Sequence, residues 1–299
     1  MTVLVVGTVA FDTIETPFGR AERVLGGSAT HFSLAASYFA PVRLVSLVGR
    51  DFPPRHLAML RKRGVDLAGL ATADGETFAW SGRYEGDLAV AQTLETRLNV
   101  YAGFAPAVPL EWRDTRFVFL ANGSPESQLS VLEQVRRPTL VAADTMNFWI
   151  EHAHRPLLQL LRRVHVLIVN DEEARRLGES RNLIRAGDRL AAMGPRFVIV
   201  KKGEHGCYLF ARKERFALPA YPTADVRDPT GAGDSFAGGF LGYLSTAGKV
   251  GRATLRRALA YGTVTASIEV EQFGVRGLRG ATLAEVRRRY REFLRFVSI

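Results

Sequence analysis

Short, mainly apolar runs recur along the chain at residues 3–6, 42–48, 117–120, 140–142, 164–169 and 197–200, bounded by glycine or polar turns. None alternates apolar with polar positions, so each reads as a strand covered on both faces. Between several of them apolar positions recur three and four apart, over 29–38, 127–135 and 171–177, which predicts helices. Strands of this kind interleaved with helices predict an α/β fold: three layers, α/β/α, around a mostly parallel central sheet. In open sheets of this type ligands collect at the carboxyl ends of the strands.

Two stretches break the rhythm. Residues 8–24 and 75–101 carry polar, alternating segments such as Thr77-Phe78-Ala79-Trp80-Ser81-Gly82-Arg83-Tyr84. These read as strands with one wet face and are expected to form a small separate β-sheet, a lid on a single domain of 1–299. A further antiparallel stretch is expected over 206–227, with a turn near Lys213. Helical patterns follow at 231–244, 252–268 and 282–297.

Composition narrows the function classes. At 47% hydrophobic and 23% charged residues, a chain of 299 residues can bury a large core. No uncharged apolar run is long enough to span a bilayer, and the start, MTVLVVGTVAFDTIE, has no basic segment before its apolar stretch. A cytoplasmic location without membrane partners is expected. Cys207 has no partner for an intrachain disulfide and no His/Cys cluster near it in sequence, so a core thiol is expected. The net charge of +10 raises nucleic acid as a partner, yet only five of the 40 basic residues are lysine, and the rest scatter from Arg20 to Arg295. The densest cluster lies on an amphipathic terminal helix, and no nucleic-acid-reading motif accompanies it, so nucleic-acid binding is not expected.

The candidate chemistry lies in Asp228-Pro229-Thr230-Gly231-Ala232-Gly233-Asp234-Ser235-Phe236, which follows a β stretch and opens a helix. Small residues at 231–233 let backbone amides approach a ligand, and the first turn of a helix leaves such amides unpaired at its positive end. An anion fits there. A carboxylate beside an anion site is electrostatically awkward unless it has a task, and taking a proton from an attacking hydroxyl is such a task for Asp234. The chain lacks GxxxxGK[ST], and Gly231-Ala232-Gly233 lacks the third glycine of the dinucleotide fingerprint, which excludes a conventional P-loop and argues against a nicotinamide domain.

The string DPTGAGDSFAGGF, taken with Gly26-Gly27 and with VGRDF at 48–52, closely resembles the ribokinase-like sugar kinases, the PfkB family. The resemblance runs from Gly7 to about Gly274. It implies transfer of the γ-phosphoryl group of ATP, with Mg²⁺, to a hydroxyl of a sugar, nucleoside or related small molecule. It also implies an α/β domain with a β lid. On matching positions Asp234 is the catalytic base, and Gly231, Ala232 and Gly233 form the anion hole. Asp228 helps hold a monovalent cation such as K⁺. Asn170 and Glu173, also a capping box by spacing, organise Mg²⁺ and phosphates, with Glu173 acting on the metal indirectly. Lys201, Gly203 and Gly206 lie in the strand-end nucleotide loop, although many members have Thr where Lys201 stands. On the acceptor side, Asp12 accepts from substrate hydroxyls and Gly26 and Gly27 form the lid hinge, while Gly49 and Asp51 match a more structural motif.

Two departures bear on the acceptor. His31 stands where the family commonly has Asn, and Asp144-Thr145-Met146-Asn147-Phe148-Trp149 lacks the arginine of the family's DxNxR. Asp144 and Asn147 remain candidate polar contacts. Phe78, Trp80 and Tyr84 are expected to pack the lid, with stacking on a ring substrate as the alternative. A sugar acceptor is favoured, with a nucleoside as the alternative within the family and a catalytically retired ligand sensor as the alternative outside it. Exposed edges of the lid sheet suggest a homodimer through the lid.

Overall fold

The computed structural model describes residues 1–211 and 214–298. In chain order the elements are β1 (Val3–Val6), β2 (Ala10–Thr16), β3 (Gly19–Gly26), α1 (Ser28–Ala36), β4 (Val42–Gly49), α2 (Pro54–Lys62), β5 (Val65–Ala73), β6 (Ala79–Tyr84) and β7 (Ala91–Arg97). They continue through β8 (Phe117–Leu120), α3 (Pro125–Gln134), β9 (Leu140–Asp144), α4 (Asn147–His152), α5 (His154–Leu161), β10 (Val166–Asn170), α6 (Asp171–Leu177) and α7 (Leu183–Ala192). The last are β11 (Phe197–Lys201), β12 (Cys207–Ala211), β13 (Glu214–Leu218), α8 (Ala232–Thr246), α9 (Arg252–Val270), α10 (Arg276–Gly280) and α11 (Leu283–Val297).

The main sheet has nine strands in the order β13-β12-β11-β10-β9-β8-β1-β4-β5, parallel from β11 to β5 with an antiparallel β12 and β13 at one edge. Alternate residues of one strand feed different cores. Val3 and Val5 pack with α1, α8 and α9, while Leu4 and Val6 pack with α3, α5, α6 and α7. This is the three-layer architecture that the unalternated apolar runs require. The chain leaves β1 toward β4 on one side and β8 on the other, so the strand order reverses beside β1.

The lid is a separate four-stranded sheet, β3-β2-β6-β7, drawn from the two stretches that break the apolar rhythm. Its own small core is Ile14, Tyr84 and Leu88, with Trp80, Val24, Val226 and Phe273 against it. The lid aromatics serve that packing. Trp80 covers Gly82, where a Cβ would lie 2.1 Å from the indole ring, and Phe78 meets Tyr101 edge-on. The Gly49/Asp51 motif is a brace at the lid's root: Asp51 Oδ1 accepts from Thr77 N–H at 2.7 Å and from Thr77 Oγ1 at 2.6 Å, while Gly49 N–H donates to Thr77 Oγ1 at 3.0 Å.

Two expectations need adjustment. The antiparallel stretch predicted over 206–227 ends at Leu218, because Pro219 and Pro222 cannot donate to a ladder and residues 219–229 run without strand structure. Its turn near Lys213 lies outside the described residues. Conversely β5, rich in small residues and only partly buried, extends the main sheet where no apolar run marks it. Cys207 is buried in the core.

Candidate active site

The site assembles at the carboxyl ends of the parallel strands. Asp144 ends β9, Asn170 ends β10 and Lys201 ends β11; Asn170 and Lys201 are register partners, and Asp144 pairs with Ile168. Gln128 Nε2, from α3, donates to the Asp144 carbonyl at 3.0 Å and ties the end of β9 in place.

Facing these strand ends is the start of α8. Gly231 caps the helix with φ of 74°, a left-handed conformation that glycine adopts without strain. A Cβ there would also lie 2.3 Å from Nδ1 of His31, so the loop and the histidine pack directly on one another. A Cβ on Gly233 would come 2.6 Å from Lys201 Nζ. The ammonium therefore lies against the first turn of α8, where the Ala232 N–H that the sequence places in an anion hole instead donates to the Pro229 carbonyl at 3.1 Å. Asp228 braces this loop from below: Oδ1 accepts from Thr230 N–H at 2.9 Å and Oδ2 from Gly274 N–H at 2.8 Å. Thr230 Oγ1 donates to the Tyr84 hydroxyl at 3.2 Å, which joins the loop to the lid.

One cation serves three acids here. Lys201 Nζ is 3.6 Å from Asp144 Oδ2. Burial alone would lower the lysine, but Asp144, Glu173 and Asp234 hold it above its usual value, so it is charged at neutral pH. It is no solvated surface charge. Burial and the neighbouring charge of Asp144 push the Asp234 carboxyl up to about 7, against the pull of His31 and Lys201. Burial, again with Asp144, pushes Glu173 up to about 7. Glu173 completes the capping box, its Oε2 accepting from Asn170 N–H at 2.8 Å while Asn170 Oδ1 accepts from Glu173 N–H at 2.8 Å. The capping reading of that motif is borne out, and the box opens α6 at the carboxyl end of β10.

Across the loop lies a second buried group. Asp12, from β2, accepts from Gly27 N–H at 3.3 Å. A Cβ on Gly26 would come within 1.8 Å of Asp12 Oδ2, so the glycine pair is what admits the carboxylate. His31 lies in the first turn of α1, with Nε2 3.8 Å from Asp12 Oδ2 and Nδ1 2.5 Å from Oε1 of Glu269. Glu269, from α9, is fully buried and was not foreseen. Its only signal in the sequence is a carboxylate inside the otherwise uncharged run 258–268 and Val270.

Some expected residues stand apart. Asn147 opens α4 with Oδ1 buried and unpaired, beside the half-exposed Phe148 and Met146. Gly203 and Gly206 form a tight turn closed by Lys202 N–H to the Gly206 carbonyl at 2.7 Å. Gly206 has a packing reason of its own, since a Cβ would strike the Leu218 carbonyl at 2.0 Å. A cavity of about 920 Å³ lined by Arg196, Phe197, Leu209, Arg215, Arg252 and Arg256 lies at the opposite end of β11 from Lys201, and none of the candidate residues borders it.

The donor set can be tested against a metal. Among the described residues no group of three or more His, Cys, Asp or Glu side chains is placed to hold one. Mg²⁺ keeps several waters and is held by substrate phosphates with one or two carboxylates, and Glu173 in the first turn of α6 is a buried carboxylate. One Glu173 oxygen is committed to the cap. A monovalent cation at Asp228 would have to share oxygens that already accept backbone N–H groups. Among the described residues, no helix is long and apolar enough to cross a membrane.

The family model for pfkB family carbohydrate kinases matches residues 3–279. The cytidine kinase of Thermococcus kodakarensis is 30% identical over 244 residues, covering 80% of this chain and 87% of that protein. The rice inositol 3-kinase is 28% identical over 81% of this chain and 62% of its own length. Among solved structures, the Burkholderia thailandensis nucleoside kinase in complex with inosine matches with a TM-score of 0.81 at 18% identity, over 97% of both chains. A putative ribokinase II of Escherichia coli matches at 0.82 and 19% identity, over 97% of this chain and 99% of its own. With a nine-stranded sheet, a β lid and a DPTGAGD helix start in the same chain, the protein belongs to the pfkB family and is a ribokinase-like phosphotransferase that acts on a hydroxyl acceptor.

Proposed function

We propose that the chain is an ATP- and Mg²⁺-dependent nucleoside kinase that phosphorylates a hydroxyl of the ribose. The observation that carries this reading is the pairing of Asp12 and His31, a buried carboxylate and a buried imidazole on the acceptor side of Gly231. Together they offer an acceptor and a donor to a vicinal diol. Sugars carry such diols too, and the sequence favours them. The likeness to the cytidine kinase over most of both chains shifts the choice to a nucleoside. Met146 and Phe148, 39% and 48% exposed beside Asp144, would give a base an apolar face where the family's arginine is missing. A cyclitol acceptor is the second reading, favoured by the likeness to the inositol 3-kinase.

In this reading Asp234 takes the proton of the attacking hydroxyl, and a carboxyl poised near 7 suits that task at neutral pH. The amides at Gly231 and Gly233 would face the charge on the transferring phosphoryl group, while Ala232 N–H is taken by the Pro229 carbonyl, and Lys201 adds a positive charge from the strand side. Mg²⁺, when bound with ATP, supplies charge neutralisation on the phosphates, with Asn170 and Glu173 ordering its water. Phosphoryl transfer asks for positioning and charge more than covalent help, and that is what these residues provide. Asp228 and Asp144 act as supports around them, through the Thr230 and Gly274 amides and through Lys201.

ADP formation should be measured over a panel of nucleosides, sugars and inositols, with the product identified by phosphorus NMR. Nucleoside-dependent turnover giving a nucleoside monophosphate supports the assignment. Turnover confined to free sugars or inositol overturns it in favour of the second reading.

A further inference from the structure

Glu269 is the one buried acid of the site that the reaction above does not use. It stands at 0% exposure on α9, its Oε1 on His31 Nδ1 and its Oε2 without a hydrogen-bond partner. An isolated carboxylate in such a place would cost several kcal/mol, so its placement depends on the imidazole. His31 in turn carries a buried Nε2 with no hydrogen-bond partner, 3.8 Å from Asp12 Oδ2, too long for a hydrogen bond. The ring cannot swing away, because the backbone of Gly231 lies against it.

Resting on the nucleoside kinase reading, we propose that Glu269 is a positioning residue for the acceptor site: it fixes the His31 ring and its protonation, so that Nε2–H stands beside Asp12 as the donor of a donor–acceptor pair that recognises the ribose diol. The two nitrogens then divide their work. Nδ1–H donates to Glu269, and Nε2–H is left for a substrate hydroxyl whose own proton goes to Asp12.

The charge balance supports this division. His31 lies in the first turn of α1, where the helix dipole disfavours a cation. Burial disfavours it further, yet Glu269 and Asp12 overcome both and hold the imidazole well above the ordinary histidine value. Four acids face the ring: Glu269 from α9, Asp12 from β2, and Asp228 and Asp234 at either end of the anion loop. Glu269 alone contacts it directly, so removing that one charge should release the histidine to titrate.

The test uses the full chain, with Glu269→Gln, which keeps an acceptor for Nδ1–H, and Glu269→Ala, which does not. KM for the nucleoside should rise about 3- to 10-fold in Glu269→Gln and at least 30-fold in Glu269→Ala. KM for ATP should stay within twofold, and kcat should change less than the acceptor KM. In Glu269→Gln, kcat/KM for the nucleoside should gain a fall on the alkaline side of neutrality that the parent lacks. Imidazole nitrogen NMR of the free protein should show His31 protonated at both nitrogens up to pH 8 in the parent and titrating near neutrality in Glu269→Gln. Equal acceptor KM in both variants, with only the melting temperature lowered, would overturn the inference, as would a parent His31 that is neutral at pH 7. The NMR arm needs no acceptor, so it reads even if Glu269→Ala does not fold. It also separates this inference from the substrate reading, which fails on its own if the parent turns over no nucleoside.

Discussion

Replacing Asp234 by Asn should separate catalysis from stability, because the same burial that poises the carboxyl also costs the fold. The substitution keeps the shape and removes the base. Loss of a general base typically costs 10²- to 10⁴-fold, so kcat should fall by that factor, equivalent to about 3–5 kcal/mol of barrier. Stability should move the other way. A carboxyl that titrates near 4 in the unfolded chain and is pushed up to about 7 in the fold holds its proton longer when folded. Its contribution is therefore fully present below about pH 4 and is lost as pH rises toward 7, after which the loss is constant. At 1.36 kcal/mol per pH unit the ceiling is about 4 kcal/mol, and the partial solvent contact of Asp234 brings the realised figure to roughly half. The Asn variant escapes this loss. Differential scanning calorimetry without nucleotide should show Asp234→Asn melting several degrees above the parent at pH 8, with the gap nearly closed at pH 4.5. A variant retaining more than a tenth of parental kcat, or a melting difference that does not change with pH, would refute the reasoning.

Lys201→Met should leave Asp144, Glu173 and Asp234 facing one another without their cation; kcat should fall at least tenfold, and the acid limb of the kcat/KM profile should move to higher pH, as measured by coupled ADP release. Thr77→Val should strand the buried Gly49 N–H and remove the hydroxyl from Asp51, which keeps only the backbone N–H of residue 77, costing about 1–3 kcal/mol. Amide exchange should then quicken across β6 and β7, with the acceptor KM raised more than the ATP KM. Gly231→Ala forces a left-handed residue and drives a methyl into the His31 ring, so acceptor KM should rise and the melting temperature should fall.

What could be read from the chain followed from period and small-residue chemistry. The mainly apolar runs became the parallel strands, and the alternating stretches became the lid, because strand faces report directly which side is buried. The GAGD segment was legible because free amides at a helix start announce themselves through small residues. Lys201 was visible but ambiguous: a lysine at a strand end reads alike whether it is solvated or buried among carboxylates, and only the approach of Gly233 and Asp144 decides it. Glu269 carries only the faint signal of a lone carboxylate in an uncharged run, and Thr77 carries none. Their roles depend on contacts with His31, 238 positions away, and with Asp51, 26 positions away, which no periodicity encodes.

In the proposed reaction an acceptor whose diol is held by Asp12 and His31 presents a further hydroxyl to Asp234 in front of the 231–233 loop. A crystal structure with a nucleoside and a non-hydrolysable ATP analogue tests it most directly. Expected are a ribose hydroxyl about 2.6–3.2 Å from the Asp234 carboxylate, a vicinal diol on Asp12 and His31 Nε2, and the terminal phosphate against the amides of Gly231 and Gly233. A nucleoside bound with no hydroxyl in reach of Asp234, or with its diol away from Asp12, would contradict it.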